Sequence, residues 1–98
     1  MLDPFEKLEK EKYFYCANGT MIKRISEADE AIESMGNETF SFHVNDTKND
    51  FADWARGVYH DDEFAEQLMK TKDKSRIQLL FLRKVAEHLL NKNGKRTD

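Results

Sequence analysis

Residues 12–25 read KYFYCANGTMIKRI, and the fold hinges on how the middle of this stretch is taken. Two runs rich in aromatic and β-branched side chains flank Asn18-Gly19, a dipeptide that readily takes the two positive-φ conformations of a type I′ turn. With Asn18 and Gly19 as a two-residue loop, Ala17 pairs Thr20, Cys16 pairs Met21, Tyr15 pairs Ile22 and Phe14 pairs Lys23. One face of this hairpin then carries Tyr13, Tyr15 and Ile22; the other carries Phe14, Cys16, Met21 and Ile25. An isolated hairpin is marginal in water, so helices from the rest of the chain must cover it.

Outside this stretch the signals are helical. Upstream, DPFEKLEKEK has Asp3 as an N-cap, Pro4 at the first helical position and Glu6 in the first turn, which predicts a short first helix. Downstream, Ser26 is expected to cap SEADEAIESM, with Asp29 completing a near capping box. Ile25, Ala28, Ala31, Ile32 and Met35 share its buried stripe, and Gly36 closes it. Asn37 can cap a short ETFSFHV helix, followed by the polar connector NDTK. Asn49 or Asp50 then caps FADWARGVY, with Phe51, Trp54, Val58 and Tyr59 on one side. Asp61 caps DEFAEQLMK, predicted to bury Phe64, Leu68 and Met69.

The last helix, about 74–92, starts near Asp73 and has Ile77, Leu80, Phe81, Val85 and Leu89 as its core stripe. Leu79, Leu82, Ala86 and Leu90 widen that stripe beyond half the girth. At roughly 1.5–3 kcal/mol per large side chain buried, this helix should organise the core. Its breadth leaves a second reading open, in which one side packs within the chain and the other against a second copy. The tail 93–98 is expected to fray. The fold class is therefore α+β and mostly helical: an N-terminal β-hairpin, turning at Asn18-Gly19, packed on four to five helices in a single domain, 1–98.

A chain of 98 residues, 39% hydrophobic, supports one core. Its net charge of −3 hides an asymmetry: residues 1–69 hold 7 Lys/Arg against 16 Asp/Glu, whereas residues 70–98 hold 9 against 3. Cys16 is the only cysteine and has no intrachain partner for a disulfide, and the start MLDPFEKLEKEK lacks the apolar core of a signal peptide. A cytoplasmic location is expected. No apolar run approaches the roughly 18–20 residues a membrane helix needs, so no membrane partner is expected.

Chemistry-bearing residues concentrate in Phe40–Trp54, FSFHVNDTKNDFADW, which places one histidine among several Asn and Asp residues and four aromatics. His43, Asp46 and Asp50 could form a His-carboxylate pair, but a lone histidine more often serves structure by bonding a neighbouring helix end. Cys16, His43, His60 and His88 are scattered without metal-ligand spacing, and there is no glycine-rich phosphate loop, GxSxG or HExxH. His60-Asp61-Asp62-Glu63 reads as a helix start whose acids favour the N-terminal dipole rather than as a divalent site. No catalytic residue, metal ligand set or cofactor is assigned.

The order YFYCANGTMIKRISEADEAIESM, then ETFSFHVN, then KNDFADWARGVYHDDEFAEQL resembles a family of small uncharacterised prokaryotic domains. The resemblance covers about residues 12–72, and its most specific pieces are Phe40, Phe42, His43, Val44 and Asn45, then Lys48, Asn49, Asp50, Phe51 and Trp54. Phe64-Ala65 departs from the family's Leu-Ala, a change compatible with packing. The family has no established activity, so the resemblance implies only that His43, Asn45, Asn49, Asp50 and Trp54 act together. Two roles fit them: a polar clasp that caps helix ends, or an outward patch for a peptide, partner domain or small ligand.

The leading functional expectation is a non-catalytic protein-interaction or regulatory module with an unidentified protein partner, working through that corner or through the extra apolar face of the last helix. A homodimer through that helix belongs to the same class. One alternative is a nucleic-acid-binding protein using the basic last third, with Arg76, Arg83 and Lys84 as its contacts. Intramolecular pairing between the acidic and basic segments is the simpler account of those charges. The other alternative is a small ligand- or metal-responsive domain.

Overall fold

The computed structural model describes residues 2–94, with side chains through residue 91. Strand β1 (Phe14–Tyr15) pairs antiparallel with β2 (Met21–Ile22), placing Phe14 opposite Ile22 and Tyr15 opposite Met21. This register is one residue away from the type I′ expectation. Gly19 N–H donates to the Cys16 carbonyl (2.9 Å) and Cys16 N–H to the Thr20 carbonyl (2.8 Å), so Ala17, Asn18 and Gly19 form a three-residue loop. Gly19 alone in the loop takes a positive φ, +95°, as in a type I turn closed by a glycine bulge. Asn18 keeps a negative φ and accepts from Thr20 N–H through Oδ1, at 3.0 Å.

A one-residue slip exchanges the two faces of a strand. Phe14, Cys16 and Ile22 are buried together, while Tyr15 and Met21 face outward. What selects this register is burial: it puts Ile22, fully buried, beside Phe14, whose ring stacks on Phe51 with centroids 4.4 Å apart and planes 8° from parallel, and leaves Met21 43% exposed.

The predicted first helix does not form. Asp3 Oδ1 accepts from Phe5 N–H (2.9 Å) in a single turn, after which the chain runs as an extended strap. Ser26 N–H donates to the Pro4 carbonyl (2.8 Å) and Leu8 N–H to the Lys23 carbonyl (2.9 Å). A 3-10 turn at Lys10–Lys12 then leads into β1. A helix this short is marginal alone, and the strap's tertiary hydrogen bonds and buried Pro4 outweigh it. The same pairing takes Ser26 away from its predicted capping role. Instead a 3-10 turn, Ile25–Glu27, runs into α1 (Ala28–Ser34) without a side-chain cap.

Ile25, Ala28, Ile32 and Met35 are buried as expected, and α1 packs on the last helix. Gly36, expected to close α1, is the N-cap residue of α2 (Asn37–His43), and Asn37 is that helix's first residue rather than its cap. Lys74 Nζ donates to the Met35 carbonyl at 2.6 Å and satisfies the end of α1.

The caps of the next two helices fall where the sequence puts them. Asn49 Oδ1 accepts from Ala52 N–H (3.0 Å) at the start of α3 (Asp50–Tyr59), and Asp61 Oδ1 accepts from Phe64 N–H (3.0 Å) at the start of α4 (Asp62–Met69). Between them His60 adopts the left-handed conformation, φ 56°, that ends α3. Met69, expected inside, is 57% exposed at the last residue of α4, where its sulfur accepts from the exposed Arg56 of α3 at 3.7 Å.

Helix α5 (Lys74–Gly94) begins with Asp73 accepting from Arg76 N–H at 3.0 Å. It continues through Asn93 and Gly94, where fraying was predicted to start; residues 95–98 lie outside the described residues. Ile77, Leu80 and Phe81 are buried in a cluster with Phe51, Phe64 and Trp54. Leu89, predicted to extend that core, is 46% exposed. Past Val85 the inner side of α5 faces the N-terminal strap, where Phe5 sits edge-on to His88 at 5.9 Å. Among the described residues no helix is long and apolar enough to cross a membrane.

Candidate functional site

The corner between α2 and α3 is built from residues that the sequence singled out. Val44 and Asn49 form an isolated antiparallel bridge, and Asn45 N–H donates to the Lys48 carbonyl (3.0 Å), so the NDTK connector is a tight loop. That loop brings the end of one helix against the start of the next.

His43 is 4% exposed and points inward. Its Nε2 accepts from Ala17 N–H at 2.9 Å, and its Nδ1 lies 2.9 Å from Asp50 Oδ2. A backbone N–H can only donate, which assigns the ring hydrogen to Nδ1 and directs it at the carboxylate. Lys48 Nζ reaches the same Asp50 oxygen at 3.0 Å and lies 4.1 Å from the centroid of Phe42. The result is a chain of contacts from Lys48 through Asp50 and His43 to the hairpin loop. Both ring nitrogens of His43 are engaged, and the ring packs among Phe14, Phe42 and Phe51.

The other three corner residues are engaged as well. Asn45 donates to the Ser41 carbonyl (2.9 Å) and the Phe42 carbonyl (3.3 Å) at the open end of α2, and its Oδ1 accepts from Thr47. Beyond its capping bond, Asn49 donates through Nδ2 to the Leu68 carbonyl (2.9 Å), tying α3 to the end of α4. Trp54 Nε1 donates to the Lys12 carbonyl at 2.8 Å, 42 residues away in sequence. His43 and Asp50 therefore meet directly, whereas Asn45, Asn49 and Trp54 each anchor a different neighbour. Asp46 stands apart, paired with Lys72, which holds its carboxyl below the ordinary aspartate range.

The basic last third is matched in part by the acidic remainder. Lys84 Nζ lies 3.0 Å from Asp61 Oδ2 and 5.0 Å from the centroid of Phe64, with 19% of its side chain exposed. Arg76 and Arg83 are exposed, and neither forms a salt bridge among the described residues.

One feature escapes sequence reasoning altogether. A groove of about 970 Å³ lies between the strap, the end of α3 and the inner side of α5, with Glu6, Tyr59, Asp61, Lys84 and His88 among its walls. Burial and the charge of Glu6 raise the Tyr59 hydroxyl above its ordinary value. In this groove Lys84 meets Asp61, and His88 Nε2 lies 3.7 Å from Asp3 Oδ1. Its walls come from three distant segments, so no local pattern announces it. No group of three or more His, Cys, Asp or Glu side chains converges to hold a metal among the described residues.

The outward side of α5 is different, because it is apolar without being covered. Leu79, Leu82 and Leu89 are 41%, 47% and 46% exposed, and Ala86 is exposed between them. At about 100° per residue they centre on the side of the helix opposite Ile77 and Phe81. The helix thus carries two apolar seams, one in the core and one in solvent.

Compared with protein-family models, with curated proteins and with solved structures, the chain finds no match.

Proposed function

We propose that this chain is a non-catalytic interaction module whose contact surface is the outward face of α5. The observation that carries this reading is the second apolar seam, Leu79, Leu82, Ala86 and Leu89, on the side of α5 away from the core. A helix needs one such stripe to pack into its own domain, and soluble proteins rarely keep another exposed without a use for it. The corner at His43 supports the reading from the other side: its polar groups, Lys48 included, are engaged within the chain, leaving Phe42 as its exposed large apolar member.

Site-specific photo-crosslinking tests the surface directly. A photoreactive residue at Ala86 is expected to trap a polypeptide in lysate, and the same group at Phe42 is not. Trapping from Phe42 alone would move the contact surface to the α2–α3 corner.

A further inference from the structure

Resting on the reading of α5 as the contact surface, we infer that its occupant is a second copy of this chain, with the two α5 helices side by side and parallel. The seam residues Leu79, Leu82, Ala86 and Leu89 are spaced 3, 4 and 3 apart, the a and d pattern of two-stranded coiled coils. Ala86 supplies a shallow floor between larger neighbours, into which a facing side chain can insert.

Charge selects the partner. On one flank of the seam Arg83 is exposed and has no carboxylate among the described residues. On the other flank lies Gln78, whose Nε2 donates to Glu33 Oε1 (2.9 Å) and Asp29 Oδ1 (3.1 Å) of α1. Glu33 is exposed and has no cation within ion-pair distance among the described residues. The seam is therefore bordered by an unmatched cation on one side and unmatched carboxylates on the other.

A two-fold axis parallel to α5 brings each flank against the opposite flank of its mate. In a parallel pair the residue at the Gln78 position faces the mate's Arg83 position, five residues on, so each Arg83 meets a Glu33 and the contact is made twice. An antiparallel pair instead sets Arg83 beside Arg83. The contact spans about three helical turns, which is less than the roughly 800 Å² per partner of a standard interface, so the dimer is concentration-dependent.

Sedimentation equilibrium of the whole chain over a wide concentration range, with circular dichroism on every variant, tests this. Wild type is expected to pass from monomer to dimer; Arg83→Glu and Glu33→Arg each weaken association about tenfold, and the two combined restore most of it. Oxidised Ala86→Cys is expected to give a disulfide-linked dimer, because equivalent a positions face each other only in the parallel pair. A monomer at every concentration, a dimer insensitive to both reversals, or a combined variant no better than either alone overturns the inference. If the chain stays monomeric while Ala86 traps another protein, only the identity of the occupant fails. If Ala86 traps nothing, the contact surface fails with it.

Discussion

His43 and Asp50 are joined by a 2.9 Å contact, Nδ1 to Oδ2, that ties the end of α2 to the first turn of α3 while the far side of the ring holds Ala17 N–H of the hairpin loop. One side chain thereby locks three elements. Its removal leaves the Ala17 N–H without its acceptor and opens a space beside Phe14 and Phe51.

His43→Ala is expected to lower the unfolding free energy by about 2–4 kcal/mol, combining the lost hydrogen bonds with the cavity. Phe42→Ala, at a side chain 56% exposed one residue earlier, is expected to cost less than about 1 kcal/mol. Urea unfolding measures both. Equal losses would mean that the ring is not a clasp.

The three-residue hairpin loop predicts an asymmetry between Asn18 and Gly19. Gly19→Ala is expected to cost about 1 kcal/mol or more, because an alanine at φ +95° is strained even though nothing crowds its Cβ. Asn18→Ala loses only the exposed Oδ1 contact to Thr20 N–H and should cost less. A type I′ turn would penalise both positions alike, so thermal unfolding of the two variants separates the registers.

Asn49 uses its two amide atoms for different tasks: the oxygen caps α3 and the nitrogen reaches the Leu68 carbonyl. Asn49→Asp keeps the cap but turns an oxygen toward that carbonyl. We expect it to destabilise the domain by about 1–3 kcal/mol despite the near-identical shape, a loss that a simple capping role would not produce. Hydrogen exchange should show it as weakened protection in the last turn of α4.

Asp61 sets an acid limb on stability. Burial alone would raise its carboxyl, but the bond from Phe64 N–H and the hydrogen bond and charge of Lys84 together outweigh it and hold the group below its ordinary value. The stabilisation is present above the unfolded-state value, about 3.9, and is lost as pH falls through the lower folded-state value. Asp61→Asn should make stability less dependent on pH below about 4, measured by urea unfolding at a series of pH values.

Much of the architecture is legible locally. Asn49, Asp61 and Asp73 cap helices because each side chain needs only an N–H two or three residues ahead, and the apolar stripes of α1, α3 and α4 follow from periodicity. At the α2–α3 corner the same holds of Asn45, which acts on groups within four residues, but not of Asn49 Nδ2 and Trp54, whose partners Leu68 and Lys12 lie 19 and 42 residues away. The direction of His43 is not legible either, because its second partner, Ala17, is 26 residues away. Nor is the groove beside Tyr59, whose walls have no sequence relationship to one another.

The fold class, the starts of α3, α4 and α5 and the double apolar character of α5 are determined by the sequence itself, because propensity, capping and periodicity act over one or two turns. Tertiary structure decides the rest. It chooses the hairpin register that buries Ile22 rather than Met21 beside Phe14, and it replaces the first helix with a strap held by Ser26 and Lys23. It also decides which seam of α5 is inside. Ile77 and Phe81 meet the core, while Leu79, Leu82 and Leu89 remain in solvent. Periodicity can show that both sides are apolar; only the packing of the other helices consumes one and leaves the other exposed.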